Sequence, residues 1–203
     1  MSRIKISGTS VSPGVGTGKA WVMVQLEGTR IPERKLDGEV PEVALKRLED
    51  AHSRAISELQ RIQTLTTKEL GMQDAAIYGA QIAVLQDPAA HRKLEDVVLH
   101  KQLQPEAAIQ AVLDEFEGVL KGLEGGDMKS WVSDLRDPWL AVVRELRNVE
   151  DEEHLAGDGE GVVLIAEELT PSLVTRNHQH NVVAIACNRG GRFSHGAVLA
   201  RSF

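Results

Sequence analysis

The chain has 203 residues, 42% hydrophobic and 26% charged, enough to bury one large core or two small ones. Its formal charge of −7 argues against a nucleic-acid partner, which would ask for a basic face. A single cysteine, Cys187, rules out an internal disulfide. The first residues carry no apolar signal region, and no apolar run approaches the roughly 20 residues of a spanning helix, so no membrane role and a cytoplasmic location are expected.

Residues 1–30 read as short strands. Ile4 and Ile6 alternate with polar residues, and Lys19 to Val24 forms a second strand candidate. Ser12-Pro13-Gly14-Val15-Gly16-Thr17-Gly18 between them is rich in turn formers. Its glycines suit either a phosphate cradle or a close crossing of strands.

From about 33 to 148 the texture is helical. Ala44, Leu48, Ala51, Ala55, Leu59 and Ile62 alternate at spacings of three and four. A second helix over 74–86 puts Tyr78, Ile82 and Leu85 on one face, and Asp87-Pro88 caps and opens a third with Leu94, Val97 and Val98. Pro105 opens a fourth, carrying Ile109, Val112, Phe116, Val119 and Leu123, which Gly125-Gly126 breaks. The last carries Val132, Leu135, Trp139, Val142 and Leu146; Pro138 should kink it or mark a restart capped by Asp137.

After a polar connector from Asp151 to Gly161, Val162–Ala166 and Val182–Cys187 read as buried strands, with a helix opening at Thr170-Pro171-Ser172 between them. No internal repeat or low-complexity tract occurs. The second strand feeds the most informative segment, Gly190 to Arg201. Gly190-Gly191 permits a tight turn, and Ser194 caps a helix beginning at about His195. That places the imidazole where free backbone N–H groups and the helix dipole favour an anion. Gly191, Arg192, Ser194 and the N–H groups of Gly196 and Ala197 are the candidate phosphate ligands, with Arg201 less favoured. Thr170 reads on its own as an N-cap.

The Gly190–Arg201 segment, Ser12-Pro13-Gly14, Asp134-Leu135-Arg136-Asp137 and Leu169-Thr170-Pro171-Ser172 together resemble the N-terminal half of the Enzyme I family of the bacterial phosphoenolpyruvate-dependent sugar phosphotransferase system. The resemblance implies a mixed α/β (α+β) fold. A swivelling phosphohistidine domain would comprise residues 1–32 and 149–203, truncated at its C-terminal end, with an all-helical insert over 33–148. It implies that His195 accepts phosphate from phosphoenolpyruvate and passes it to a histidine of the carrier HPr, with Thr170 hydrogen-bonded to His195. HPr would dock on the helical insert, where Met72, Asp74, Tyr78, Gln81, Ile82 and Leu85 are the candidates. Phosphoenolpyruvate and Mg²⁺ would belong to a barrel domain beyond Phe203, so no cofactor is expected in these residues. A fragment of this kind is expected to be monomeric and its full-length parent a homodimer.

The sequence departs from the family where Phe193 replaces a usual threonine, where Pro138 follows Asp137, and where Gln81 replaces a histidine of some members. These departures leave two alternatives: a docking or regulatory module that no longer uses its histidine, and the swivel domain of a pyruvate phosphate dikinase-like enzyme. His178 and His180 form at most half a metal site. His52, His91 and His100 are expected on solvent faces, and Cys187 in the core.

Overall fold

The computed structural model describes residues 4–23, 30–121, 128–147, 161–177 and 180–202. Strand β1 (Lys19–Val22) is followed by five helices: α1 (Pro41–Glu69), α2 (Met72–Leu85), α3 (Pro88–Lys101), α4 (Pro105–Lys121) and α5 (Met128–Leu146). Then come β2 (Val162–Glu168), α6 (Pro171–Asn177), β3 (Val182–Arg189) and α7 (His195–Ser202). The strands form one parallel sheet in the order β1-β2-β3, with Lys19 beside Val162 and Leu164 beside Ile185. The helical module is therefore the crossover from β1 to β2.

Local chemistry explains the helix boundaries. Prolines open α1, α3 and α4, where a missing N–H costs nothing. The Asp87 carboxylate accepts the Ala89 N–H at 2.7 Å and caps α3. All six stripe residues of α1 are buried, and their three alanines let neighbouring helices come close. They pack with Tyr78, Leu85, Leu94, Val98, Ile109 and Leu140 in a core that also takes in Val174 of α6 and Leu199 of α7. A smaller cluster of Leu164, Ala166 and Leu173 lies under the sheet.

Buried polar contacts join the two parts. Gln81 Nε2 donates to Asp137 Oδ2 at 2.7 Å, and Ser172 Oγ donates to the same oxygen at 2.9 Å. The Tyr78 hydroxyl pairs with Thr175 Oγ1. One face of α6 is thus held by α2 and α5.

Several expectations are corrected. Ile4 and Ile6 are exposed and outside any strand, because nothing among the described residues pairs with them. α5 runs unbroken through Pro138, and Asp137 is a buried acceptor rather than a cap. β3 is an edge strand with one face partly open, and Cys187 is exposed. His52 and His91 are half-buried: both Nε2 atoms reach the Leu85 carbonyl, at 2.9 and 2.8 Å, and both rings pack on Trp139. The carbonyl terminates α2, so the imidazoles cap that helix. His100 stays at the surface beside Asp96. The glycine turn makes the close crossing that was one of its two readings: a Cβ on Gly18 would lie 1.9 Å from the Gly161 carbonyl oxygen. Val24, Leu123, Gly125, Gly126, His178 and the connector through Glu160 lie outside the described residues.

Candidate active site

The site begins where β3 ends. Gly190 takes a φ of +115°, a conformation that side-chain-bearing residues rarely adopt. The chain then turns, with the Ser194 N–H donating to the Gly191 carbonyl at 3.1 Å. Ser194 caps α7: its Oγ accepts the Ala197 N–H at 3.3 Å, and its carbonyl accepts the Val198 N–H at 2.9 Å. His195 is the first residue of that helix.

Packing fixes where α7 begins. A Cβ on Gly196 would lie 2.1 Å from the Leu169 carbonyl oxygen, so the first turn of α7 rests on the backbone leading into α6. At that junction Thr170 is buried, and its Oγ1 accepts the Leu173 N–H at 3.3 Å, capping α6. In this structure no hydrogen bond joins Thr170 to His195, although the cap uses the hydroxyl only as an acceptor. His195 Nδ1 instead stands 3.1 Å from Asp134 Oδ1 of α5, with the imidazole 52% and the carboxylate side chain 32% exposed. No hydrogen bond engages Nε2 among the described residues, so that nitrogen is open to attack an electrophile.

Two cations flank the histidine in sequence. Arg201 Nη1 donates to the Arg192 carbonyl at 2.8 Å and ties the helix back to its loop. The Arg192 side chain is exposed and has no partner among the described residues, so it is available to an anion. Of the two amides expected to cradle phosphate, that of Ala197 is engaged within the turn. Gly196 and Ala197 are buried, and Ser194 already takes the Ala197 N–H. Phe193 is 88% exposed and so packs on nothing, the imidazole included.

The expected docking residues divide. Tyr78, Gln81, Ile82 and Leu85 are buried and pack the core, so they form no surface. Met72 is 81% exposed and Asp74 partly exposed. The outer face of α2 carries Ala76, Ala80 and Ala83, which sequence reasoning passed over. This helix is apolar on both sides, so periodicity could not tell inside from outside. Asp134 was also missed as a site residue; its one signal was membership of the Asp134-Leu135-Arg136-Asp137 motif.

This fold, with a loop-borne histidine opening a helix against the inserted bundle, marks the class: the chain belongs to the PEP-utilising enzymes. The family model described as "PEP-utilising enzyme, N-terminal" matches residues 7–130, and "PEP-utilising enzyme, mobile domain" matches residues 158–203. Within that class it is similar to the phosphoenolpyruvate-protein phosphotransferase of Priestia megaterium, 32% identical over 198 residues, spanning 98% of this chain and 34% of that protein. Its fold matches the NMR solution structure of an Enzyme I protein (nEIt) with a TM-score of 0.70 and 27% identity, over 95% of this chain and 77% of that one. It also matches the N-terminal domain of "Enzyme 1 - Nitrogen", with a TM-score of 0.68 and 21% identity over the same shares, a likeness of fold alone. The chain spans about a third of the length of the curated relatives it matches.

Proposed function

We propose that this chain is the phosphohistidine-carrying N-terminal part of a phosphoenolpyruvate-protein phosphotransferase. His195 takes a phosphoryl group that originates on phosphoenolpyruvate and passes it to a histidine of HPr. One observation carries the reading. An imidazole with one nitrogen open opens a helix whose first turn is wedged against α6, within reach of a carboxylate on the helical module. Phosphoryl transfer asks a protein mainly for positioning and charge stabilisation. The α7 N-terminus and Arg192, which has no partner among the described residues, offer the second to an incoming phosphate.

HPr docks, in this reading, on the outer face of α2, from Met72 through Ala76 and Ala80 to Ala83. A strip of small exposed side chains suits a partner's apolar patch, and Asp74 beside it suits a basic rim. Phosphoenolpyruvate binding belongs to a separate barrel domain. The reading leaves Mg²⁺ to that domain too. In this reading the protein works in the cytoplasm, where HPr would meet it. No helix among the described residues is long and apolar enough to cross a membrane. The chain by itself is a monomer, and the full-length protein dimerises through the barrel.

The test is transfer of labelled phosphate from phospho-HPr. Label that appears on the wild-type chain and not on His195→Ala supports the proposal. Label that survives His195→Ala, or never appears on the wild-type chain, overturns it. Ala80→Asp should weaken HPr binding at least tenfold with the fold intact, read by titration of an isotope-labelled chain.

A further inference from the structure

We infer that Asp134 is the positioning residue of His195: its carboxylate holds a proton on Nδ1 and so leaves Nε2 as the reacting nitrogen. The inference rests on the reading of His195 as the phosphoryl acceptor and adds a residue to it.

An ionised carboxylate only accepts hydrogen bonds. At 3.1 Å from Nδ1, Asp134 Oδ1 therefore requires the proton on that nitrogen. Neutral histidine in water prefers the other tautomer, with the proton on Nε2, in which the nitrogen facing Asp134 would be a lone pair pointed at a negative charge. The hydrogen bond made by one ring nitrogen decides what the other can do.

The pair is built rather than accidental, because both of its members are fixed to the start of α6. Asp137, on the same helix as Asp134, accepts the Ser172 hydroxyl at 2.9 Å and is buried. His195 is fixed by Gly196, whose Cα rests on the Leu169 carbonyl just before α6. Asp134 is also uncommitted elsewhere. Arg136 beside it is taken by Glu117 and Gln110, each at 2.9 Å, and among the described residues Asp134 has no partner but His195. Pro138 sets the backbone of this turn. It lacks the N–H that would bond the Asp134 carbonyl, and its ring crowds that carbonyl. The turn of α5 that lacks this hydrogen bond is thus the one that carries the carboxylate.

The chemistry then balances at each step. The Nε2 lone pair forms the bond to phosphorus. The bond from phosphorus to the donor's oxygen breaks, and its electron pair leaves with that oxygen. The proton stays on Nδ1 throughout. On transfer to the acceptor, the nitrogen–phosphorus pair returns to Nε2, and the ring departs as neutral imidazole instead of imidazolate, a far better leaving group. Asp134 lies at the ring edge opposite Nε2, so it holds this proton without confronting the phosphate.

The ring tautomer is read directly by long-range proton–nitrogen correlation NMR on the labelled chain, at a pH where His195 is neutral. The wild type should show an unprotonated Nε2 and a protonated Nδ1. Asp134→Ala should move the Nε2 resonance to the protonated position and slow phosphoryl uptake from phospho-HPr at least tenfold. An Nε2-protonated His195 in the wild type overturns the inference, as does an Asp134→Ala ring unchanged from wild type. The wild-type spectrum decides even where the variant misfolds. A fixed Nδ1-protonated ring that never takes phosphate would defeat the proposed function and leave the positioning role standing.

Discussion

Gly196 carries no side chain because there is no space for one: the Leu169 carbonyl oxygen sits 2.1 Å from where its Cβ would be. Gly196→Ala must push α7 away from α6, and His195 with it. Overpacking of this kind costs about 1–3 kcal/mol. We expect a lower unfolding midpoint and a loss of phosphoryl uptake larger than that destabilisation explains, measured on the same preparation. His52 supplies a second residue-scale prediction. Burial lowers its pKa, with the Leu85 hydrogen bond opposing and the neighbouring His91 adding to the fall. The folded chain therefore binds this proton less readily than the unfolded chain does. The contribution is complete above the ordinary histidine value of about 6.5 and is lost as pH falls through it towards the depressed value. Urea unfolding at pH 8 and pH 5.5 should show stability falling in acid, and falling less in His52→Gln.

The helices show what burial is worth. Leu59 is almost wholly buried at the centre of α1, whereas Val119 of α4 is mostly exposed. Leu59→Ala should cost about 2–5 kcal/mol, and Val119→Ala no more than about 0.5 kcal/mol. Equilibrium unfolding of the two variants checks the contrast. Elements such as these were legible in the sequence because each of their signals is local. The stripe from Ala44 to Ile62, the Asp87 cap and the prolines that open α1, α3 and α4 need no partner to be read. The Gly190–His195 turn was legible for the same reason. What escaped depends on distant packing. Ile4 and Ile6 alternate as a strand does, but a strand also needs a neighbour. α2 offers apolar residues on both faces, so Tyr78 and Ile82 looked as available as Ala76 and Ala80. The pairing of Asp134 with His195 spans 61 positions, and no sequence spacing encodes it.

At the scale of the molecule, the start of α6 is the joint between sheet and bundle. Thr170 caps it, Ser172 reaches Asp137 of α5, Thr175 reaches Tyr78 of α2, and Gly196 of α7 rests just before it. Asp137→Ala removes the acceptor shared by Gln81 and Ser172 and leaves buried donors unmet, at a cost of about 1–3 kcal/mol for each group. We expect that variant to unfold earlier and to exchange the amides of α6 faster, in hydrogen-exchange measurements. The joint matters because it puts an imidazole of the α/β part against a carboxylate of the helical part.

The central claim is that this imidazole carries phosphate. The most direct measurement is mass spectrometry at alkaline pH, where phosphohistidine survives, after incubation with phospho-HPr. The account predicts a gain of one phosphate, mapped to His195, that is removed again by excess unphosphorylated HPr. A phosphate found on any other residue, or none at all, would contradict it.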